Sequence, residues 1–130
     1  MTWTPMSELE IWDKINRERE RMGARQRKFW DAIRIEPEKW IQSPYGNEGE
    51  GFWVVAIIGR IVVWFNDIED GFNKSTYTKY GFIQDYHCNQ DTLEEAVQDV
   101  LDIVDTGHVV GGQGGPPTTG AAPGLCRRTS

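Results

Sequence analysis

The run Phe52–Phe65, FWVVAIIGRIVVWF, is apolar at every position except Gly59 and Arg60, and any fold of this chain has to bury it. Two β-branched and aromatic stretches joined by two turn residues predict a β-hairpin. Glycine at the first central position suits a type II′ turn, whose first residue takes a positive φ that only glycine adopts without steric cost. Ile58 should then face Ile61, with Ile57, Ala56 and Val55 opposite Val62, Val63 and Trp64. Alternation puts Phe52, Val54, Ala56 and Ile58 on one face, and Trp53, Val55 and Ile57 on the other. Both faces are apolar, so either both are covered or one binds something. A membrane span is excluded by length, since a spanning helix needs about twenty apolar residues.

The 130 residues divide by composition into one α+β domain over 1–106 and a tail over 107–130 that holds seven Gly and three Pro. The tail has too little apolar surface to offset its ordering entropy, and disorder is expected there. Charge is unevenly placed. Residues 1–40 hold nine basic and eight acidic side chains, while residues 41–106 hold three and twelve, a net of −9. That balance argues against a nucleic-acid backbone as ligand and suits either plain solubility or a basic protein partner. No basic segment followed by an apolar one opens the chain, which makes a cytoplasmic location the expectation. Cys88 and Cys126 have neither metal nor redox spacing and read as free thiols in a reducing compartment.

Along the chain, Ser7-Glu8-Leu9-Glu10 forms a capping box, with Met6 and Ile11 placed as a hydrophobic staple. A long first helix follows, with a stripe of Leu9, Trp12, Ile15, Arg19, Met22 and Gln26 and with Glu10–Lys14 and Asp13–Arg17 pairs four residues apart. Its basic stretch RERERMGARQRK is interleaved with Glu18 and Glu20 and reads as a solvated face. Phe29–Ile35 alternates and is read as a strand; Pro37–Gln42 is read as a short helix burying Trp40 and Ile41. Residues 43–51 form a turn-rich loop. Phe82–Cys88 (FIQDYHC) alternates again and predicts a further strand. Asp91 with Glu94 makes a second capping box, and Leu93, Ala96, Val97, Val100, Leu101 and Val104 form the stripe of a helix with an acidic face of Glu95, Asp99 and Asp102.

The polar segment Asn66–Asn73 fails the calcium-loop pattern, because Ile68 and Tyr77 occupy two ligand positions. A looser cation site of Asp67, Glu69 and Asp70 is the alternative to a simple turn bonded by Asx side chains. No cofactor motif is present, and the glycine-rich stretches match no dinucleotide or phosphate-binding pattern. In a strand Asp85 and His87 share a face and His87 and Cys88 do not, so an Asp85–His87 acid-base couple is the sole catalytic candidate. With Asp67 and Asp70 it would make a small hydrolase or divalent-metal enzyme.

Six tryptophans exceed what a small core usually takes, and such rings are enriched at interfaces. The leading expectation is a non-enzymatic interaction module. Its binding face would combine Trp53, Trp64, Phe72 and Tyr77 with the acids Asp67, Glu69, Asp70 and Asp85, and its partner would be a basic protein. Small acidic inhibitors and immunity-type proteins are the analogy. A homodimer through the second face of the sheet is the third reading. The overall expectation is an α+β fold: a sheet of three or four antiparallel strands centred on the 52–65 hairpin, packed by an N-terminal and a C-terminal helix.

Overall fold

The computed structural model describes residues 5–42 and 51–107. They form α1 (Glu8–Arg19), α2 (Ala24–Ile33), β1 (Arg34–Trp40), β2 (Phe52–Ile58), β3 (Ile61–Asn66), β4 (Gly71–Thr76) and α3 (Leu93–Thr106). The strands make one antiparallel sheet in the order β1-β2-β3-β4. This is the α+β architecture expected, with a second N-terminal helix added. Of the loop expected over 43–51 and the tail expected over 107–130, residues 43–50 and 108–130 lie outside the described residues. No helix among the described residues is long and apolar enough to cross a membrane.

The hairpin forms as its sequence dictates, with one slip. Gly59 has φ +60° while Arg60 stays at negative φ, and Ile58↔Ile61, Ile57↔Val62 and Ala56↔Val63 pair as expected. Trp64, however, lies opposite Val54 and not Val55. Val55 is the extra residue of a β-bulge, so the alternation breaks there. Val55 and Ala56 both join the helix-side core with Ile11, Ile15, Trp30, Phe65 and Val97. Phe52 and Val54 join the opposite core with Trp40, Val62 and Trp64.

That opposite face is covered by the chain itself. Residues 77–91 run across it as an extended strap that buries Ile83 and packs Tyr77 and Tyr86 onto Trp64 and its neighbours. The homodimer reading required this face to be bare, and it is not. The strap is the segment expected as the Phe82–Cys88 strand. Its main chain is held by side chains of the sheet: Ser75 Oγ donates to the Asp85 carbonyl (2.8 Å), Asn66 Nδ2 to the His87 carbonyl (2.9 Å) and Asn73 Nδ2 to the Asn89 carbonyl (3.1 Å). The 85, 87, 89 periodicity is that of an extended chain, whose main chain also bonds edge strand β4 through the Gln84 amide to the Thr76 carbonyl (3.2 Å) and the Phe72 amide to the Asp91 carbonyl (2.9 Å). The added strand is β4, in a stretch read from sequence as turn and polar connection. A Cβ on Gly71 would stand 2.3 Å from the Asn89 carbonyl oxygen and from Gln90 Cα, so only glycine lets the strap seat on β4.

The N-terminal third differs most from expectation. The Ser7–Glu10 capping box forms, and Met6 packs against the core that holds Ile11. The buried stripe is Ile11, Ile15, Glu18 and then Met22, whereas Leu9 is exposed. Asp13–Arg17 pairs as expected; Lys14 turns to Glu18 and not to Glu10, whose carboxylate returns to the Ser7 amide. Helix α1 stops at Arg19, and Gly23 opens α2 with its amide donating to Gln26 Oε1. Phe29–Ile35 is thus helical through Ile33. The i, i+3 pair Trp30 and Ile33 is buried while Asp31 is exposed, so helical spacing prevails over the alternation. Pro37 lies in edge strand β1 and not in a helix; the register irregularity between Arg34 and Glu38 accommodates its missing N–H.

Helix α3 carries the expected stripe, with Leu93, Ala96, Val97, Val100 and Leu101 buried and Val104 half exposed. Its capping box is Thr92 with Glu95, one residue beyond the expected Asp91–Glu94, because the Asp91 carbonyl accepts from the Phe72 amide and the residue stays on the strap. Cys88 is disulfide-bonded, which corrects the free-thiol reading for that residue. The sequence has one other cysteine, Cys126, outside the described residues.

Candidate functional site

One end of the strap, between Thr76 and Asp85, gathers the exposed rings. Tyr80 is 59% exposed and Phe82 44%. Both are fixed from below by the end of β1: the Ile41 amide donates to the Gly81 carbonyl (2.9 Å) and the Ile83 amide to the Ile41 carbonyl (2.8 Å). The Tyr80 ring lies 4.7 Å from the buried Trp40 ring and meets Tyr77 edge-on at 6.4 Å; Tyr77 meets Trp40 edge-on at 5.1 Å. Glu38 Oε1 accepts from both the Tyr80 hydroxyl (2.7 Å) and Trp40 Nε1 (3.1 Å). That hydrogen bond to a carboxylate raises the Tyr80 pKa, with partial burial adding, and the phenol remains a donor above its ordinary titration range. Asp85 accepts from Thr76 Oγ1 (3.1 Å), next in the chain to Tyr77, and Lys79 sits over the Phe82 ring at 4.7 Å.

The face expected from sequence is divided. Tyr77 and Asp85 belong to this surface. Trp64 and Phe72 are fully buried, Trp64 beneath the strap with its Nε1 donating to Ser75 Oγ and Phe72 on the helix side against Phe65, so neither can meet a partner. Trp53 and Asp67 are engaged by the chain's own N-terminal segment, Asp67 Oδ2 accepting from the Met6 amide (2.7 Å) and Trp53 Nε1 donating to the Met6 carbonyl (2.7 Å). Glu69 and Asp70 occupy the β3–β4 turn. Gly71 and Thr76 bound β4, so this turn is about 17 Å from Asp85 at about 3.4 Å per residue.

The acid-base alternative does not assemble. Asp67 lies on the helix side with Met6, while the His87 carbonyl is held by Asn66 on the strap side. His87 is exposed, yet partial desolvation of its ring lowers its pKa, with Asp85 opposing and Lys74 adding. Among the described residues, no three His, Cys, Asp or Glu side chains are grouped to hold a metal ion. Asn66 Oδ1 accepts from the Ile68 and Glu69 amides, so the segment tested as a cation loop is an Asx-bonded turn with Asp70 at φ +63°. Sequence reasoning counted Tyr80 among the surplus rings without placing it on the binding face, and passed over Phe82 and Glu38. The signal available was Tyr80-Gly81-Phe82, two large rings flanking a turn glycine.

Beside the turn, the strap meets α3 and carboxylates crowd. The Asp91 pKa is raised, first by burial and then by Asp99 and Glu95, with Lys74 opposing. The folded state therefore binds this proton more readily than the unfolded chain, and the resulting penalty grows as pH rises above about 3.8. Asp91→Asn is expected to raise the denaturation midpoint at pH 7 and to lose that advantage below about pH 3.8. Equal gains at both pH values would show that crowding of charge is not the cause.

The sequence matches no protein-family model, and comparison with curated proteins and with solved structures returns no match.

Proposed function

We propose that this chain is a non-enzymatic interaction module that binds a basic protein through Tyr77, Tyr80 and Phe82, with Glu38 and Asp85 at the rim. The observation that carries the reading is Tyr80: its ring is more than half exposed, yet Trp40, Tyr77 and Glu38 fix it in place. A rigid amphipathic ring loses little freedom on binding, which is what interface anchors require. The excess of acids over residues 41–106 supports a basic partner by long-range attraction. The analogy remains with small acidic inhibitors and immunity-type proteins, and it is one of surface character alone. The Cys88 disulfide favours an oxidising setting for the encounter over the reducing cytoplasm that the free-thiol reading assumed.

The test uses the full chain as bait and follows the basic protein it retains at low salt. Tyr80→Ala and Phe82→Ala are each expected to weaken that complex by about tenfold or more, as loss of an interface anchor does. Charge reversal at Glu69 and Asp70, remote from the rings, should slow association and flatten its salt dependence while leaving dissociation unchanged. Retention indifferent to both ring truncations and to the reversal would overturn the reading.

A further inference from the structure

Cys88 is disulfide-bonded, and a bridge within the chain has one possible partner, Cys126. Such a bridge returns the C-terminal tail to the strap. Cys88 lies three residues beyond Asp85 and six beyond Phe82, at most about 10 and 20 Å at the 3.4 Å per residue of extended chain. Behind Cys126 the tail runs back through Pro123 to Pro117, and directly after it come Arg127 and Arg128. Proline-rich chain rises about 3.1 Å per residue, so the stretch Pro117–Cys126 spans about 28 Å and reaches the exposed rings from the bridge. The limb between α3 and the bridge has length to spare: residues 108–125 span at most about 60 Å, against about 21 Å for the 14 residues of α3.

The surface within reach carries uncompensated acids. Glu38 and Asp85 are exposed, and no ion pair among the described residues uses either. The bases beside them are turned elsewhere, Lys79 over the Phe82 ring (4.7 Å) and Arg60 toward the Tyr77 carbonyl (3.5 Å). Residues 107–130 hold two arginines and no acid, so the tail is opposite in sign to the face beside its anchor.

We infer that the bridged tail is this surface's own occupant, with Arg127 and Arg128 against Asp85 and the Pro117–Pro123 stretch across the Tyr80 and Phe82 rings. Aromatic surfaces take proline-rich chain in its extended form because that form has little freedom left to lose. Untethered, the tail has too little apolar surface to stay ordered. The bridge changes that balance, since it holds the segment at an effective concentration on the order of millimolar, where weak contacts suffice. An encounter with a basic protein is then a displacement, and the surface retains only a partner that outcompetes two tethered arginines. The inference rests on the reading of this surface as a binding face, but the occupancy is measured without a partner.

The experiment follows the ring and backbone amide resonances of the full-length, isotope-labelled chain in dilute solution, with the bridge intact and after dithiothreitol has reduced it to two thiols. Reduction should shift the Tyr80 and Phe82 rings and the amides of Gly81 to Asp85, with Trp30 and Val97 unmoved as evidence of an intact fold. Arg127→Glu combined with Arg128→Glu, bridge intact, should move the same resonances toward their reduced positions. That variant leaves Cys88 untouched, and it carries the test if reduction unfolds the chain. A basic protein retained by the bridged chain should bind about tenfold more tightly once the bridge is reduced. Shifts confined to His87, Cys88 and Asn89, a double arginine variant whose rings do not move, or ring shifts that scale with protein concentration, as a second copy would give, would each overturn the inference. Ring shifts as expected, in a chain that retains no basic protein, would uphold the tail contact and remove the interaction-module reading.

Discussion

Replacing Glu18 with alanine is expected to destabilise the protein by about 2–4 kcal/mol, far more than a surface carboxylate would. Glu18 is 5% exposed and stands on α1, yet its Oε1 accepts from the amide of Leu93, the first residue of α3, at 2.7 Å. The first amides of a helix have no intrahelical acceptor. Thr92 satisfies the one at Glu95, and Glu18 satisfies the one at Leu93 from 75 residues away. Its charge also faces the positive end of the α3 dipole and pairs with Lys14 at 3.0 Å. Truncation leaves a buried amide without an acceptor and a partly buried ammonium without its counter-ion. Glu18→Gln keeps an acceptor and should cost only about 1 kcal/mol. Urea denaturation with unchanged m-values measures both; an alanine variant within about 0.5 kcal/mol of the parent would show that the bridge between α1 and α3 contributes nothing.

Glu18 also shows where sequence reading stops. The two N-terminal caps are patterns of spacing three, and the Ser7 box was legible residue by residue. The hairpin was legible because an apolar run interrupted by Gly-Arg has few other solutions. The α3 stripe was legible because five buried positions recur at helical spacing. Glu18 was hidden inside a run of alternating charge. Its neighbours are solvated, and only the arrival of α3 makes this one carboxylate different. The same holds for the candidate surface. Composition announced too many aromatics, and the burial of Trp64 against the exposure of Tyr80 and Phe82 depends on which face the strap covers, while the helices bury Phe72. The bulge at Val55 exchanged faces within β2, which no count of alternation reveals. Phe29–Ile35 fits two periods, and the tie is broken by packing of Trp30 and Ile33 against the sheet.

The strap itself is the next point of failure, and Asn66 is where to test it. Asn66→Ala is expected to cost about 2–4 kcal/mol and to loosen residues 85–91 before the rest of the fold. The side chain is fully buried and makes four hydrogen bonds: Oδ1 accepts from the Ile68 and Glu69 amides, and Nδ2 donates to the Tyr86 hydroxyl (3.0 Å) and to the His87 carbonyl (2.9 Å). One residue therefore closes the β3–β4 turn and pins the strap. Asn66→Asp separates the two roles, since a carboxylate can still accept from the turn amides but cannot donate to the His87 carbonyl. Hydrogen exchange distinguishes the outcomes. In the alanine variant, protection should fall at Ile68, Glu69 and along 85–91; in the aspartate variant it should fall along the strap alone. Because the strap also positions Tyr77, Tyr80 and Phe82, both variants should weaken binding of the basic partner although Asn66 touches none of these rings. Strap protection unchanged in both variants would mean that Ser75 and Asn73 suffice to hold it, and that the surface is built on the sheet without need of Asn66.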